Sequence, residues 1–502
     1  MSRPQVLVAG AGPTGLVLAL WLTKLGVSVR IVDRLAEPGT TSRALAVQAR
    51  TLELYRQVGL ADTVVERGHK VPGVNLWVRG RHAVRVGFEV IGARLTPFPF
   101  LEIYPQDEHE RLLIERLAAA GVTVDREVEL LGFSDNGDGI VARLRGPDGE
   151  TTCEADYLAG CDGARSTVRE GIGGGFPGGT YRQVFYVADV VAAGPSIDGE
   201  LHVDLDEADF LAVFPLAGEG RARLIGTVHD ARADHAETLR FEDVSDRAIR
   251  NMQLEVREVN WFSTYHVHHR VTDRFRKGRA FVLGDAAHIH SPAGGQGMNT
   301  GVGDAINLAW KLTWVLARKA PDALLDSYEA ERIGFARRLV ASTDRGFTLA
   351  TAEGPAADFV RTRIFPLIAA SALKLDAVRE YMFRTVSQIT LNYRGSPLSV
   401  GAAGHVGAGD RLPWAPGADD PWPERLGWQA RIYGEAPAAL TGWCAEHGLE
   451  LLVLPWRADH ADAGLQQGAL YLLRPDTYVA LADPAAQSAT LARYFTDRGL
   501  AP

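Results

Sequence analysis

The feature that most constrains the fold is a strand–turn–helix–strand unit at the start of the chain. Gln5–Ala9 (QVLVA) has the composition of a buried strand and leads into Gly10–Gly15 (GAGPTG), which has the spacing G-x-G-x-x-G. An apolar helix follows at Leu16–Leu25, and a second strand, Val27–Val32, ends at Asp33. This order of elements predicts a βαβ unit that binds a dinucleotide.

Four residues of this unit have separate expected roles. Gly10 allows the tight turn, Gly12 lets a pyrophosphate approach the backbone, and Gly15 lets the helix pack on the strand. Asp33 is placed where a carboxylate can hold the hydroxyls of an adenosine ribose. A purely structural turn is the alternative; the strands, helix and acid together favour dinucleotide binding.

A second stretch with chemical character runs from Phe281 to Asp304. A short apolar strand ends at Asp285, a glycine-rich loop follows at Ser291–Gly297, and helical periodicity starts near Met298. A helix N-terminus favours an anion such as reduced flavin, and Asp285 could accept hydrogen bonds from a ribityl chain. The alternative is an ordinary turn in which Asp285 caps the helix.

Two further polar segments leave alternatives open. Asp162–Arg169 (DGARSTVR) lies between a strand and a helix start, so Asp162 and Ser166 could bind a second phosphate-bearing partner or simply cap the helix. Arg43 could clamp a pyrophosphate bidentately, whereas Arg50 is expected on a solvated helix face.

Composition limits the classes of protein that remain. The chain has 502 residues, of which 46% are hydrophobic, and this length suggests two to four domains. The net charge of −9 and the lack of a long basic run argue against nucleic-acid binding. Three cysteines without CxxC spacing, no signal peptide and no apolar run of about 18 residues predict a cytoplasmic protein that has no membrane span.

The middle and the end of the chain predict two other units. Alternating strands over 185–228 and Trp261–Arg270 indicate an antiparallel sheet outside the nucleotide fold. His266 and His268 share one face of that last strand; a metal pair lacks a third ligand at a telling spacing, which favours packing or pocket lining. After apolar helical residues at 359–386, a Pro- and Trp-rich linker at 414–422 precedes a small α/β unit.

Taken together, these motifs resemble one family. GAGPTG at 10–15, DGARSTVR at 162–169, and GDAAH at 284–288 followed by PAGGQGMNTG at 292–301 are similar to the pattern of group A flavoprotein monooxygenases, the single-component aromatic hydroxylases. YRGSPL at 393–398 and GDRLP at 409–413 resemble the phenol-hydroxylase and polyketide-hydroxylase branch.

The resemblance implies an α/β fold: a Rossmann-like FAD-binding domain of the glutathione-reductase type, an inserted antiparallel β-sheet domain for substrate, and a C-terminal thioredoxin-like domain. We place the FAD-binding domain at 1–75, 101–180 and 271–345, and the substrate-binding domain at 76–100 and 181–270. A helical segment at 346–413 and the thioredoxin-like domain at 414–502 complete the chain.

The resemblance also implies site residues. The expected FAD ligands are Gly10, Gly12, Pro13, Thr14, Gly15, Asp33, Arg34, Arg43, Gln106, Asp162, Asp285, Gly297, Met298 and Asn299. Pro292, Gly294, Gly295 and Arg43 are expected at the reacting centre, and Phe100, Phe214 and Pro292 at the substrate; no metal is expected.

The implied activity is hydroxylation of a bulky phenolic or polycyclic aromatic compound. In such a cycle NADPH or NADH reduces FAD, O2 adds at flavin C4a, and the resulting hydroperoxide transfers one oxygen atom. Baeyer–Villiger insertion, epoxidation or N-hydroxylation of a natural product or antibiotic is the alternative. The expected partners are the substrate and O2, with the protein a monomer or homodimer.

Overall fold

The computed structural model describes residues 3–39, 44–78, 80–205, 210–228, 239–244, 247–290, 295–351, 375–417 and 420–502, without the side chains of 182, 183, 205 and 341–351. The predicted site residues Arg43, Pro292 and Gly294 lie outside the described residues. So does 359–374, the larger part of the predicted apolar helix.

Strands and helices alternate through the first part of the chain. The strands there are β1 (Val6–Ala9), β2 (Val29–Val32), β3 (Ala46–Val47), β4 (His69–Val71), β5 (Gly73–Val78), β6 (Arg81–Gly87), β7 (Leu101–Ile103), β8 (Val124–Asp125), β9 (Glu129–Asp135), β10 (Ile140–Gly146), β11 (Gly149–Ala155) and β12 (Tyr157–Gly160). The helices are α1 (Pro13–Lys24), α2 (Ala49–Tyr55), α3 (Ala61–Arg67), α4 (Glu89–Gly92), α5 (Gln106–Ala119) and α6 (Thr167–Gly171).

The remaining elements follow the same naming. The strands are β13 (Gly178–Ala193), β14 (Leu201–Leu205), β15 (Phe210–Pro215), β16 (Arg221–Val228), β17 (Glu255–Val271), β18 (Arg276–Lys277), β19 (Ala280–Val282), β20 (His288–Ile289), β21 (Val400–Ala403), β22 (Val406–Gly407), β23 (Gln429–Tyr433), β24 (Glu450–Leu454), β25 (Leu470–Leu473) and β26 (Val479–Asp483). The helices are α7 (Arg247–Asn251), α8 (Gly297–Leu316), α9 (Asp326–Thr351), α10 (Asp376–Val386), α11 (Ala438–His447), α12 (Ala458–Asp462) and α13 (Ser488–Arg498).

A parallel sheet forms the base of the molecule. Its strand order is β18-β19-β12-β1-β2-β8, and all pairs are parallel except the edge pair β18–β19. Strand β1 and helix α1 are almost entirely buried, as expected for the predicted βαβ unit. Strands β9, β10 and β11 form a separate antiparallel meander, and β12, which follows it, pairs with β1 in the main sheet.

The second sheet is the one predicted to be inserted, with the order β20-β17-β13-β16-β15-β14-β5-β6. It was expected to be antiparallel, but β14 and β5 pair in parallel. They are far apart in sequence, and a long connection allows parallel pairing, whereas a tight hairpin does not. One face packs against α7 through an apolar cluster that includes Tyr186 and Leu224. The other face includes Ile225 and Val267 and points toward the parallel sheet's loops.

A glycine-rich run at 171–175 closes helix α6 and lets it pack against its neighbours. A Cβ on Gly171 would lie 2.4 Å from a ring carbon of Phe133, so this position allows α6 to pack closely on β9. Gly173 has φ +70°, the left-handed conformation that ends a helix. A Cβ on Gly174 would lie 2.8 Å from Thr272 Oγ1. The run therefore closes helix α6 without forming a nucleotide loop.

The C-terminal sheet has the order β22-β21-β26-β25-β23-β24. Strands β23 and β24 are parallel and joined through α11, while β25 and β26 return antiparallel before α13. Strand β21 belongs to this sheet although it precedes residue 414, the boundary expected from the sequence. The segment expected to be a linker is packed: Trp422 is buried and donates a hydrogen bond to the carbonyl oxygen of Glu53.

The prediction that Arg50 lies on a solvated face is wrong. Arg50 is 3% exposed, and its guanidinium donates to Asp476 O and to Thr477 Oγ1, both at 2.9 Å. It also lies over the ring of Tyr478. The C-terminal unit covers this helix, which the local sequence cannot show. Among the described residues, no helix is long and apolar enough to cross a bilayer.

Candidate active site

Two helices begin at the same cavity, and no side-chain cap is seen for either within the described part of the chain. Helix α1 starts after Gly12 and helix α8 starts after Gln296; neither has an acidic residue in its first turn. Gly12 and Gln296 both line a cavity of about 420 Å3 between the parallel sheet and the second sheet. The first N–H groups of a helix have no partner within the helix, so two helix starts make this cavity attractive to a phosphate or another anion.

The three fingerprint glycines differ in their surroundings. A Cβ on Gly10 (φ +102°) would lie 2.2 Å from Cys161 O, and one on Gly15 would lie 2.0 Å from Gly10 O. A Cβ on Gly12 would meet no atom of the described residues within 4 Å. Gly10 and Gly15 are therefore glycines for packing of the protein itself, whereas Gly12 keeps open the space that a ligand would use.

Pro13 and Thr14 complete the turn at the cavity wall. The Thr14 side chain fits between two glycines. A Cβ on Gly284 would lie 2.6 Å from Thr14 Oγ1, and a Cβ on Gly301 would lie 2.3 Å from the same atom. These glycines let the start of α1 approach α8 and the loop after β19 closely. Small residues thus allow the two helix N-termini to lie close together.

A smaller cavity of about 220 Å3 lies at the end of β2 and shares Cys161 and Gly163 with the larger one. Asp33 and Arg34 line it. Asp33 Oδ2 accepts from the backbone N–H of Ala11 at 2.6 Å, which fixes the carboxylate beside the glycine turn. The shared residues join the two cavities into one groove that follows the helix starts.

The segment that starts at Asp162 combines both interpretations kept open by the sequence. Ser166 Oγ accepts from the N–H of Arg169 at 2.9 Å and is the N-cap of α6. Asp162 Oδ2 accepts from Val168 N–H at 3.2 Å, but Asp162 Oδ1 is buried and has no hydrogen-bond partner among the described residues. Burial raises the pKa of Asp162, and the smaller cavity is beside it. Its free oxygen is the kind that a ligand hydroxyl would satisfy.

Four other predicted ligands, Gln106, Asp285, Gly297 and Met298, line the larger cavity. Asn299 does not: its Oδ1 accepts from Gln48 N–H and from Thr51 Oγ1, and its Nδ2 donates to Ala46 O and Gly295 O. Only backbone groups of Asn299 remain for a ligand. Gly295 also lines the cavity, with φ +62°.

The wall opposite the helix starts belongs to the second sheet. Its apolar part consists of Phe214, Ile225, Tyr265 and Val267. Phe214, which was predicted to contact the substrate, thus lines the cavity. Phe100 is not among the described residues that line the cavity; it packs on Phe98, with ring centroids 6.2 Å apart.

Imidazoles form the polar part of this wall: His266, His268 and His290 line the cavity. His268 Nδ1 lies 2.7 Å from Thr180 Oγ1, and burial with neighbouring Arg270 lowers the pKa of His268. Within the described part of the chain, no group of three or more His, Cys, Asp or Glu side chains could hold a metal ion. His290 and Gln296 were not predicted; proximity to the glycine loop was their only sequence signal.

A buried polar cluster supports the loop from behind. Asp304 Oδ2 lies 2.7 Å from His288 Nε2 and accepts from Gly284 N–H at 3.1 Å, while Asp304 Oδ1 accepts from Arg332 Nε at 2.5 Å. Burial alone would raise the pKa of Asp304, but Arg332 and His288 outweigh it and the pKa is lowered. Asp304 thus ties α8 to the loop that carries Asp285.

The residues along the groove show whether it suits FAD. The acid Asp33 lies at one end of the groove, and two helices start along it. Among the described residues, Gly12 is unobstructed and Asp162 Oδ1 has no hydrogen-bond partner. These features fit a dinucleotide with a ring system at the other end. This arrangement defines a flavoprotein of the FAD-binding class.

Comparison with known proteins identifies the family. A model of the family described as FAD binding domain matches residues 3–343, and the chain belongs to that family. It is 39% identical over 401 residues to a 6-methylpretetramide 4-monooxygenase of Streptomyces rimosus, covering 79% of this chain and 71% of the relative. It is 30% identical over 502 residues to a rifampicin monooxygenase of Rhodococcus hoagii, covering 95% and 94%.

A solved structure agrees. An anhydrotetracycline hydroxylase from Streptomyces rimosus matches with a TM-score of 0.80 at 28% identity, with 100% of each chain covered. The family predicted from the motifs is confirmed: the protein is an FAD-dependent aromatic monooxygenase that uses NAD(P)H as reductant.

Proposed function

We propose that this enzyme hydroxylates a bulky polycyclic phenol of the aromatic polyketide type. The observation that carries the proposal is the cavity of about 420 Å3, which joins the dinucleotide groove to an apolar sheet face. Relatives named for 6-methylpretetramide and anhydrotetracycline support a substrate with several fused rings. Names that specify a ring position or a hydroxylase favour hydroxylation over ring insertion, epoxidation or N-hydroxylation.

The residues that would hold FAD follow the groove. Asp33 and Arg34 would bind the adenosine end, and the N–H groups at the start of α1 the pyrophosphate. Gln106 and Asp285 would bind the ribityl chain, and the backbone from Gly297 the ring. The chemistry that bound FAD supplies is reduction by NAD(P)H and activation of O2.

The protein's own contribution is positioning and exclusion of water. Phe214, Ile225 and Val267 would hold the aromatic rings against the flavin side of the cavity and keep water out. The imidazoles of His266 and His268 would meet phenolic oxygens at the polar edge of the wall. The predicted roles of Arg43, Pro292 and Gly294 stay part of the proposal.

The organisation of the chain is also part of the proposal. The strand order β26-β25-β23-β24, with β23 and β24 parallel and α11 between them, supports a thioredoxin-like C-terminal domain. The parallel sheet with the second sheet inserted after it supports a Rossmann-like FAD domain of the glutathione-reductase type. Neither the C-terminal unit nor its Cys444 has a CxxC partner, so no thiol chemistry is proposed.

The test uses purified protein with FAD and a panel of simple phenols and fused-ring phenols. We expect NAD(P)H consumption that depends on the fused-ring compounds, and a product one oxygen atom heavier in which the label comes from 18O2. Ile225→Trp should fill the cavity and abolish this stimulation while FAD stays bound; Asp285→Ala should lose FAD. Stimulation of NAD(P)H consumption by simple phenols alone would contradict the substrate class. So would a panel in which no compound stimulates it and hydrogen peroxide is the sole product.

A further inference from the structure

The turn at the start of α8 is held by a second amide. Gln296 is 6% exposed; its Nε2 donates to Val386 O at 2.9 Å and its Oε1 accepts from Gln388 Nε2 at 2.6 Å. Both polar ends of this cavity-lining side chain are therefore bonded to the segment that follows α10.

Gln388 is placed for this contact at the cost of backbone strain. It is 6% exposed and has φ +60°, the left-handed conformation that a non-glycine residue rarely adopts. Its Nε2 also lies 3.2 Å from Thr300 Oγ1 and 3.4 Å from Gln296 O. Thr300 Oγ1 donates to Gln296 O at 2.8 Å. One amide thus contacts both the side chain and the backbone of Gln296.

The same segment touches the second sheet. Phe383 of α10 packs on Phe88, with ring centroids 5.6 Å apart, and a Cβ on Gly92 would lie 2.9 Å from Phe383 Cζ. Both Phe88 and Phe383 belong to the apolar cluster on the sheet's cavity-facing side. The chain from Phe383 to Gln388 therefore connects the substrate-side sheet to the flavin-side turn.

We propose that Gln388 is a positioning residue for the flavin ring. Its amide fixes Gln296, and through Gln296 the turn Gly295–Gly297, whose backbone faces the cavity. The packing of α10 then holds this turn at a fixed position relative to the substrate-binding sheet. The inference rests on the proposed function only in placing the flavin ring at this turn.

The test compares Gln388→Met, which keeps the volume and backbone but removes the donor, with Gln296→Met and with the double variant. Tyr494→Phe is the matched control: it also removes a buried hydrogen bond, to Leu398 O at 2.8 Å, in the C-terminal unit. The readouts are the Kd for FAD, the absorption and fluorescence spectra of bound FAD, the Tm, and the fraction of NAD(P)H consumption that yields hydrogen peroxide.

We expect Gln388→Met and Gln296→Met each to weaken FAD binding 5- to 10-fold (about 1 kcal/mol in binding free energy) and to shift the flavin spectrum, with no further loss in the double variant. Tyr494→Phe should lower the Tm about as much as Gln388→Met does, and it should leave the flavin spectrum and the Kd for FAD unchanged. Wild-type affinity and spectrum in Gln388→Met, additive losses, or the same spectral change in Tyr494→Phe would overturn the inference.

The outcome is separable from that of the proposed function. FAD affinity and spectra are measured without substrate, so the expected changes in a protein that oxidises no fused-ring phenol would refute the substrate assignment alone. Oxidation of such a phenol by a Gln388→Met variant with unchanged flavin properties and coupling would refute the positioning role alone.

Discussion

At the scale of single residues, we predict opposite effects for substitutions at two glycines of the same turn, Gly10 and Gly12. Gly10→Ala puts a Cβ 2.2 Å from Cys161 O at φ +102°, so we expect a loss of about 2–4 kcal/mol in unfolding free energy. In Gly12→Ala the added methyl group meets no atom of the described residues within 4 Å, so the stability of the FAD-free protein should stay unchanged. The same methyl group stands where the pyrophosphate would pass, so FAD affinity should fall at least tenfold, ~1.4 kcal/mol.

Denaturant unfolding of the FAD-free protein and FAD titration measure the two effects separately. Each glycine variant is the control of the other, since both add one methyl group to the same turn. Loss of stability without loss of affinity in Gly12→Ala would show that its open space does not belong to the ligand.

A buried acid predicts a dependence of stability on pH. Glu102 on β7 is fully buried, and in the part of the chain that the structure describes neither of its carboxylate oxygens has a hydrogen-bond partner. Burial raises the pKa of Glu102 from 4.5 to about 8. The folded protein therefore binds a proton that the unfolded chain releases above pH 4.5, and this contribution to stability declines by up to about 1.4 kcal/mol per pH unit until pH 8.

Replacing Glu102 should make the unfolding free energy depend less on pH toward the alkaline side. Glu102→Gln stays neutral at every pH, so we expect it to be more stable than the wild type at pH 8 and to differ little near pH 5. Urea unfolding across pH 5–9 measures this, with Glu115→Gln, an exposed glutamate with 60% of its side chain accessible, as the control. Equal profiles for wild type and Glu102→Gln would show that Glu102 is ionised in the folded state.

At the scale of elements, the helix α8 depends on one carboxylate. Asp304→Asn would leave Arg332 buried without its counter-charge and weaken the bonds to His288 and Gly284 N–H. We expect a loss of about 3–5 kcal/mol in unfolding free energy, as is typical when one partner of a buried ion pair is removed. Thermal unfolding measures it; a loss below 1 kcal/mol would mean that the cluster relaxes around water.

The elements also show what the sequence can and cannot predict. The βαβ unit and the start of α8 near Met298 follow from local periodicity and glycine spacing, so the predicted starts of their elements agree with the structure within three residues. The parallel β14–β5 pair and the Gln296–Gln388 contact join residues distant in the chain. No local pattern encodes such pairings, and Phe100, chosen for its aromatic character alone, packs elsewhere.

At the scale of the whole molecule, the C-terminal unit supplies charges to the interior of the FAD-binding part. Arg474 donates to Glu331 Oε1 of α9 at 2.6 Å and to Asp476 Oδ1 at 2.9 Å, and Lys311 of α8 lies 2.7 Å from Glu331 Oε2. Trp310 Nε1 of α8 donates to Asp476 Oδ2 at 3.2 Å. All of these side chains are buried. Burial lowers the pKa of Lys311 to about 8, so its charge depends on these acids.

This interface predicts that the FAD-binding part and the C-terminal unit unfold as one. Arg474→Met would leave Glu331 and Asp476 without their main counter-charge in a dry interior, and we expect a loss of about 3–5 kcal/mol together with easier release of FAD. The control is Arg394→Met, which breaks a bidentate pair with Asp410 whose arginine side chain is 63% exposed and should cost less than about 1 kcal/mol. Tryptophan fluorescence and flavin release, followed during the same thermal scan, should shift together in Arg474→Met. A flavin release temperature that stays at the wild-type value while tryptophan fluorescence changes early would instead show a C-terminal unit that detaches by itself, and the buried charges would then serve that unit alone.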